Sequence, residues 1–227
     1  LIFSGDSMEE PYSVPGVQVE AISKGGAIVL SINGEVNASE TDGDERLNLR
    51  TLKNRDLLIP GTQLETGEKC EVVFLMTNGS LVTLGEGARM KLSEFEQDEF
   101  EGTGDKISDL TEEPSESHVL IDLDLGELVV EVKKLKKESS FDLGFPLGFA
   151  GIRGTQYRIL ATDRSARLSV LEGRVAVSKE LGGQDHLIDS ERAISLEEDL
   201  ENRPDGATVE ELDRIRFVNG KARELAE

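Results

Sequence analysis

The sequence predicts an all-β fold of stacked short strands, either β-helix or β-solenoid-like or built as a two-sheet β fold, with a short C-terminal α-helix. Two observations predict the strands: apolar residues alternate along many short runs, and glycine-containing turns separate those runs. A third observation predicts the helix, because a capping-box pattern near residue 208 is followed by apolar residues at helical spacing.

The composition fits this class. The chain has 227 residues, which suits one mid-sized domain with a tail or two small domains. Glycine occurs 23 times and proline 6 times. Thin β layers joined by many tight turns account for the high glycine content.

The first strand signals lie in residues 27–38. Ile28, Leu30 and Ile32 fall on one face of an alternating run, and Asn33-Gly34 then predicts a hairpin turn before a second run. Residues 39–46 are polar and acidic, which predicts a loop. A calcium site is the alternative there, since oxygen ligands are close together, but the EF-hand pattern is missing.

The middle of the chain contains a run that is apolar on both faces, from Cys70 to Met76, as expected of a strand covered on both sides. Cys70 itself is interpreted as a small buried hydrophobe. A turn at Asn78-Gly79-Ser80 follows. Further strands are predicted at residues 81–84, 121–125, 128–132, 159–161, 168–170 and 175–177.

An acidic segment interrupts the strands at residues 93–118. Between Glu94 and Glu116 it holds ten acidic residues and one basic residue, Lys106, so we expect an exposed loop or insertion. The resulting organisation is a flexible leader at 1–16, a β domain at 17–196 and a helical tail at 197–227. In the tail, Thr208 is the predicted N-cap of a helix of about three turns that ends at Asn219-Gly220.

The charge and the cysteine content exclude several classes of function. The formal net charge is −21, which repels phosphate backbones and anionic membrane surfaces and therefore disfavours nucleic acid as a partner. One cysteine excludes an internal disulfide and a thiolate metal cluster. No run approaches the ~20 apolar residues of a membrane-spanning helix. Leu1-Ile2-Phe3 is interpreted as the remnant of a removed signal peptide or as a truncation.

Four glycines that precede strand starts recur at similar distances: Gly34, Gly79, Gly126 and Gly173 are separated by 45, 47 and 47 residues. Spacings of this length can mark stacked β coils. Their flanking residues match poorly, so the spacing supports stacked short strands without establishing a repeat.

Five phrases in order resemble the FecR domain, over roughly residues 27–196. They are residues 56–67, 78–85, 125–132, 150–159 and 169–177. The clearest is Arg153-Gly154-Thr155-Gln156-Tyr157 followed by Leu171-Glu172-Gly173-Arg174-Val175. The resemblance marks as signature residues, with structural roles, Gly61, Thr66, Gly67, Gly79, Gly126, Arg153, Gly154, Thr155, Tyr157, Glu172 and Gly173. For Arg153 we expect a staple between strands, with a ligand contact as the alternative.

The resemblance implies an extracytoplasmic β domain, in the periplasm or at the cell surface. In the best-known FecR proteins this domain reports the state of an outer-membrane receptor to a membrane helix and a cytoplasmic regulator of a sigma factor. This sequence shows neither that helix nor a basic cytoplasmic region, and so is similar to stand-alone FecR-domain proteins. The expected partner is another envelope protein. The alternative is a surface protein that binds a glycan or a divalent cation.

The residues themselves give no catalytic, metal or cofactor site. His118 and His186 have no second histidine at zinc-binding helical spacing, and no nucleophile motif or phosphate-binding loop is present. Carboxylate pairs such as Glu94 with Glu96, or Asp122 with Asp124, are expected by chance in so acidic a chain. We therefore expect a non-enzymatic protein without a cofactor.

Overall fold

The computed structural model describes residues 25–42, 45–100, 106–197 and 203–227. These residues form seventeen strands and one α-helix. The strands are β1 (Ala27–Asn33), β2 (Val36–Asp42), β3 (Glu45–Thr51), β4 (Leu57–Leu58), β5 (Thr62–Thr66), β6 (Glu71–Met76), β7 (Leu81–Leu84), β8 (Arg89–Gln97), β9 (Ser117–Glu131), β10 (Ser140–Phe145), β11 (Gly148–Ile152), β12 (Gln156–Ala161), β13 (Ser165–Glu172), β14 (Arg174–Ser178), β15 (His186–Asp189), β16 (Arg192–Glu197) and β17 (Pro204–Gly206). The helix is α1 (Val209–Ala226), and a short 3-10 helix spans Ile107–Asp109.

The strands form two layers joined through β9. Sheet A has the order β3-β2-β5-β8-β9-β10-β11-β14-β15. Sheet B has the order β4-β1-β6-β7-β9-β12-β13-β16-β17. Neighbouring strands are antiparallel except for β9 and β10, which run parallel. The predicted fold class, all-β with stacked short strands in two sheets and a C-terminal helix, is confirmed.

The strand β9 belongs to both sheets because it turns at Gly126. Residues before this glycine pair with β8, and residues after it pair with β7 and β12. Gly126 has a φ of +98°, and an added Cβ would lie 2.3 Å from the Cβ of Ala88. Only glycine fits such a corner without moving its neighbour.

The core lies between the two sheets and is formed by the inward residues of each alternating strand. Phe74, Val130 and Tyr157 from sheet B and Leu64 and Ile121 from sheet A are buried there. Alternation of buried and exposed residues along each strand is the pattern expected when one face of a sheet is covered.

The predicted hairpin at Asn33-Gly34 is wrong. The strand before it, β1, pairs with β4 and β6 in sheet B, whereas the strand after it, β2, pairs with β3 and β5 in sheet A. The Asn-Gly turn therefore carries the chain from one sheet to the other. Gly34 has a φ of +80°, which a turn of either kind requires, so the local sequence does not distinguish the two outcomes.

The predicted polar loop at 39–46 is also corrected in part. Residues up to 42 continue β2 and residues from 45 begin β3, so the acidic segment forms a hairpin rather than an open loop. The centre of the candidate calcium site, residues 43–44, lies outside the described residues.

The acidic segment 93–118 begins within β8 and ends within β9. Between them the described residues include the 3-10 helix at Ile107–Asp109, while residues 101–105 lie outside the described part of the chain. The leader at 1–16 lies outside it as well. In the tail, β17 adds a strand to sheet B before the helix begins.

Helix α1 begins as predicted but continues past the expected stop. Thr208 accepts a hydrogen bond from the Glu211 backbone and completes the capping box. The helix then runs through Asn219 and Gly220, because Asn219 and Ala222 are buried against sheet B and hold this turn in place. Packing thus outweighs the ~1 kcal/mol that glycine costs in a helix interior.

This continuation gives a first testable prediction. Replacing Gly220 by Ala is expected to raise the free energy of unfolding by about 0.5–1 kcal/mol, since the added methyl meets no atom within 4 Å outside the helix's own backbone. Thermal denaturation of both proteins measures the change. An unchanged or lower melting temperature would mean that the helix ends before residue 220.

Candidate interaction surfaces

The signature segment forms a corner between the two sheets. Gly154 has a φ of +63° and connects β11 in sheet A with β12 in sheet B. Beside it, one guanidinium nitrogen of Arg153 donates to the backbone carbonyls of Lys137 at 3.1 Å and Ser139 at 3.0 Å. The Arg153 side chain therefore ties the corner to the segment that precedes β10.

A second corner lies directly against the first. Gly173 has a φ of +89° and separates β13 in sheet B from β14 in sheet A, and an added Cβ would lie 2.5 Å from the Gly154 carbonyl oxygen. The hydroxyl of Thr155 donates to the Arg174 carbonyl at 3.1 Å. The two halves of the clearest sequence phrase are thus adjacent in space.

The other signature residues lie at separate turns. Thr66 donates its hydroxyl proton to the Gly85 carbonyl at 2.6 Å and accepts from the Ala88 backbone at 2.8 Å. Glu172 accepts from the Gln156 amide at 2.8 Å, and Tyr157 is fully buried between the sheets. Burial raises the pKa of the Tyr157 phenol, and the Asp142 carboxylate raises it further. The glycines Gly61 and Gly79 have positive φ, and the Gly67 carbonyl accepts from the backbone of Cys70 and Gly87.

The outer face of sheet B is partly covered by α1. The helix places Leu212, Ile215, Val218 and Ala222 against the sheet, where Val73, Leu81 and Val129 form the other side of the contact. Ion pairs flank this apolar strip. The pairs are Arg214 with Glu127 at 2.7 Å, Lys221 with Glu71 at 2.8 Å, Arg223 with Glu131 at 2.7 Å and Glu211 with Arg167 at 2.8 Å.

These contacts shift the pKa values of two half-buried carboxyl groups. Burial alone would raise the pKa of Glu127, but hydrogen bonds from Arg214 and Arg158 outweigh it and leave the pKa below its ordinary value. Burial also acts on Glu211, where hydrogen bonds from Arg167 and the Thr208 backbone lower the pKa to about 2. Folding therefore favours the ionised form of both carboxyl groups.

A pH dependence of stability follows. A carboxyl group whose pKa is lower in the folded state contributes stability above its unfolded pKa, near 4.5, and loses it as the pH falls toward about 2. We expect Glu211→Gln to lower the melting temperature at neutral pH and the difference from the unmodified chain to shrink below pH 4.5. Thermal denaturation across this pH range measures it. A difference that stays constant with pH would contradict the assignment.

An apolar groove lies on sheet B beyond the end of α1. Ile28 of β1 is the direct cross-strand neighbour of both Leu57 on β4 and Leu75 on β6. Together with Ile59 and Ile107, these side chains line a cavity of about 370 Å³. Leu57 is 67% exposed and Ile59 52% exposed. Exposed leucine and isoleucine side chains clustered in a concave surface are typical of a contact site for another molecule.

The groove continues the strip that the helix covers. Leu75 pairs across the sheet with Leu81, which packs under Ala222 of the helix. The same apolar face of sheet B is thus covered by α1 on one side and left open at Ile28 and Leu57. Local patterns in the sequence do not predict this groove, because they do not show the cross-strand register that places Leu57 beside Ile28. The signal available was Leu57-Leu58-Ile59, in which two apolar residues flank the buried one.

Within the described residues, the histidines and carboxylates considered as catalytic or metal-binding groups do not form a common site. His118 contacts Ser140, and His186 lies on the edge strand β15. No group of three or more His, Cys, Asp or Glu side chains in the described ranges could hold a metal ion. Glu94 and Glu96 are exposed on β8, and Asp122 bonds to Ser93. Cys70 is buried, in agreement with its interpretation as a small hydrophobe.

No helix in the described part of the chain is long and apolar enough to cross a membrane.

Comparisons with known proteins identify similarity in sequence and in fold. A family model described as FecR protein matches residues 62–176, about half of the chain. No curated protein matches significantly. A crystal structure of a Parabacteroides distasonis ATCC 8503 protein, provisionally assigned as an anti-sigma factor, is 14% identical with a TM-score of 0.50, covering 66% of this chain and 62% of that one. A second crystal structure with that assignment and source is 13% identical with a TM-score of 0.49, over the same shares. The chain thus spans less than two thirds of the length of these proteins, and the likeness concerns their fold.

Proposed function

Because the chain belongs to the FecR family, we propose that it is a non-enzymatic module that works outside the cytoplasm, at the bacterial cell envelope, and relays a signal by contacting another protein. The family match over residues 62–176 supports signalling as the general role. The provisional assignment of a protein of similar fold as an anti-sigma factor supports the same role.

The observation that carries the proposal is the apolar groove at Ile28, Leu57, Ile59 and Leu75. A protein partner would bury these side chains, as the helix already buries the adjoining strip around Leu81. Burial of apolar surface is the main favourable contribution to such a contact, about 25 cal/mol per Å² removed from water. The groove lining is almost entirely aliphatic, which suits an apolar protein segment better than a sugar.

The charges beside the groove indicate the chemistry of the partner. Lys53 and Arg55 lie shortly before β4, separated from it by Asp56, which pairs with Arg50. Both are exposed and form no ion pair with the described residues, although the chain as a whole is strongly acidic. Complementary charge steers association and favours the correct partner. We propose that the partner segment carries large apolar side chains next to acidic residues.

We propose further that the signature residues shape the surface rather than contact the partner. Gly154 and Gly173 hold two stacked corners, and Arg153 binds backbone carbonyls within its own chain. These contacts explain why glycine, arginine and threonine occupy the positions, since each provides a backbone conformation or a hydrogen bond that the corner uses.

Site-specific photocrosslinking in cells tests this proposal. A photoreactive residue at position 57 is expected to capture a specific envelope protein, with the crosslink in an apolar segment next to acidic residues. The matched control is position 160, because Leu160 is also an exposed leucine on a strand of sheet B but does not line the groove. Capture of the same protein at both positions, or no capture at position 57, would contradict the proposal.

A further inference from the structure

The two sheets end together at both ends of the stack. Strands β3 and β4 are the edges of sheets A and B at one end, which we call the leading end. Strands β15 and β17 are the edges at the other, which we call the trailing end. Within the described ranges, no strand pairs with the outer side of any of these four. An edge strand presents unpaired backbone donors and acceptors that can extend a sheet.

The two ends carry opposite net charge. Residues 45–58, which span β3 and β4, contain four basic residues (Arg46, Arg50, Lys53 and Arg55) and two acidic ones (Glu45 and Asp56), a net charge of +2. Residues 179–192, which include β15, contain two basic residues (Lys179 and Arg192) and four acidic ones (Glu180, Asp185, Asp189 and Glu191), a net charge of −2, and β17 adds Asp205. Within the described part of the chain, Lys53, Arg55, Glu180 and Glu191 form no ion pair and are exposed. The two ends are therefore available to attract each other.

Each end also exposes leucine on the edge strand of sheet A. Leu49 on β3 is 72% exposed, and Leu187 on β15 is 48% exposed, while its neighbour Ile188 is buried in the core. Exposed leucines on an edge strand that lacks a neighbour are unfavourable in an isolated molecule. A strand that pairs with either edge would also bury its exposed leucine.

We infer that copies of this chain stack head to tail, with the leading end of one copy against the trailing end of the next. In this arrangement β3 lies beside β15 and extends sheet A, while β4 lies beside β17 and extends sheet B. The contact joins two different surfaces, so it leaves one leading and one trailing end free and can repeat. It uses the free edge of β4 rather than the outer face of sheet B, although Leu57 of that strand also lines the apolar groove. Lys53 and Arg55, proposed above to steer the groove partner, serve here as charges of the leading end. The stacking follows from the strand edges and their charges, and it would hold without a groove partner.

Sedimentation velocity with charge-reversed variants of the full 227-residue chain tests the inference. The unmodified chain is expected to at least double its mass-average molecular mass between dilute and concentrated samples at low salt, and high salt is expected to weaken this. Lys53→Glu/Arg55→Glu and Glu180→Lys/Glu191→Lys are each expected to remain monomeric, because two like-charged ends then face each other. All four positions are exposed, and circular dichroism checks that both variants fold.

The equimolar mixture of the two variants is the deciding sample. Each variant then offers an end that is complementary to an end of the other, so association is expected to return. A monomer at every concentration of the unmodified chain would overturn the inference. Association of either variant alone would also overturn the inference, as would a mixture that stays monomeric. Either result would mean that the two charged ends do not form the contact.

Discussion

Replacing Ile215 by Ala is expected to destabilise the protein by about 2–5 kcal/mol, the range for removing a fully buried aliphatic side chain. Ile215 is completely buried between α1 and sheet B, where it packs with Val129 and Val218. Truncation to alanine leaves a cavity at the centre of the helix contact. Chemical denaturation of the variant and the unmodified chain measures the loss.

Phe217 provides the control for this experiment because it lies on the same helix and is 68% exposed. Phe217→Ala is expected to change the free energy of unfolding by less than about 0.5 kcal/mol. Equal, small effects of the two substitutions would show that α1 does not pack on the sheet, and the continuity between the covered strip and the apolar groove would then be lost.

Replacing Gly173 by Ala is expected to lower the free energy of unfolding by more than ~1–3 kcal/mol. That range is the backbone strain that a positive φ imposes on a residue with a side chain. Gly173 has a φ of +89°, and its added Cβ would lie 2.5 Å from the Gly154 carbonyl oxygen. Backbone would have to move to relieve this contact, and both stacked corners would shift. Thermal and chemical denaturation measure the loss.

Replacing Gly61 by Ala distinguishes backbone strain from the close contact of the added Cβ. The φ of Gly61, +91°, is nearly the same, but an added Cβ would meet nothing within 4 Å. Gly61→Ala is therefore expected to show the backbone strain alone, and Gly173→Ala is expected to show a larger loss. A loss at residue 173 no greater than at residue 61 would argue against the close approach of the two corners.

Local patterns in the sequence predict strands such as β1, β9 and β12, in which burial on one face leaves a two-residue period, but they do not predict β8, β10, β11, β15 and β16. The run from Cys70 to Met76 illustrates the additional case of burial on both faces: Phe74 faces the core, while Val73 faces the helix. The glycines at 34, 126 and 173 each precede a predicted strand, and all three have positive φ. Each lies where the chain passes from one sheet to the other, which explains part of their spacing.

Pairing between strands was not predictable in the same way. The Asn33-Gly34 turn fits both a hairpin and a passage between sheets, and long-range packing of β1 on β6 decides between them. The end of α1 was also misplaced, because contacts made by Asn219 and Ala222 with sheet B are invisible in the local sequence. The groove depends on the same long-range register, which places Ile28 between Leu57 and Leu75.

The proposed relay would act through contacts on sheet B. The two sheets share β9, which pairs with β8 before Gly126 and with β7 after it. The helix is fixed to sheet B by an apolar strip and by ion pairs at Glu71, Glu127 and Glu131. A partner bound in the groove would lie beside the C-terminal end of this helix, where Ala226 packs near Leu30 and Leu75.

The central claim is that a protein partner binds in the apolar groove. The most direct test is calorimetric titration of a peptide with the sequence of the partner segment, as identified by photocrosslinking, into three forms of the chain. The unmodified chain and Leu160→Asp are expected to bind with equal affinity, because position 160 lies outside the groove. Leu57→Asp is expected to bind at least ~30-fold more weakly, the effect of losing about 2 kcal/mol at a contact hot spot. Equal affinity of all three forms would show that the partner binds elsewhere and would contradict the account.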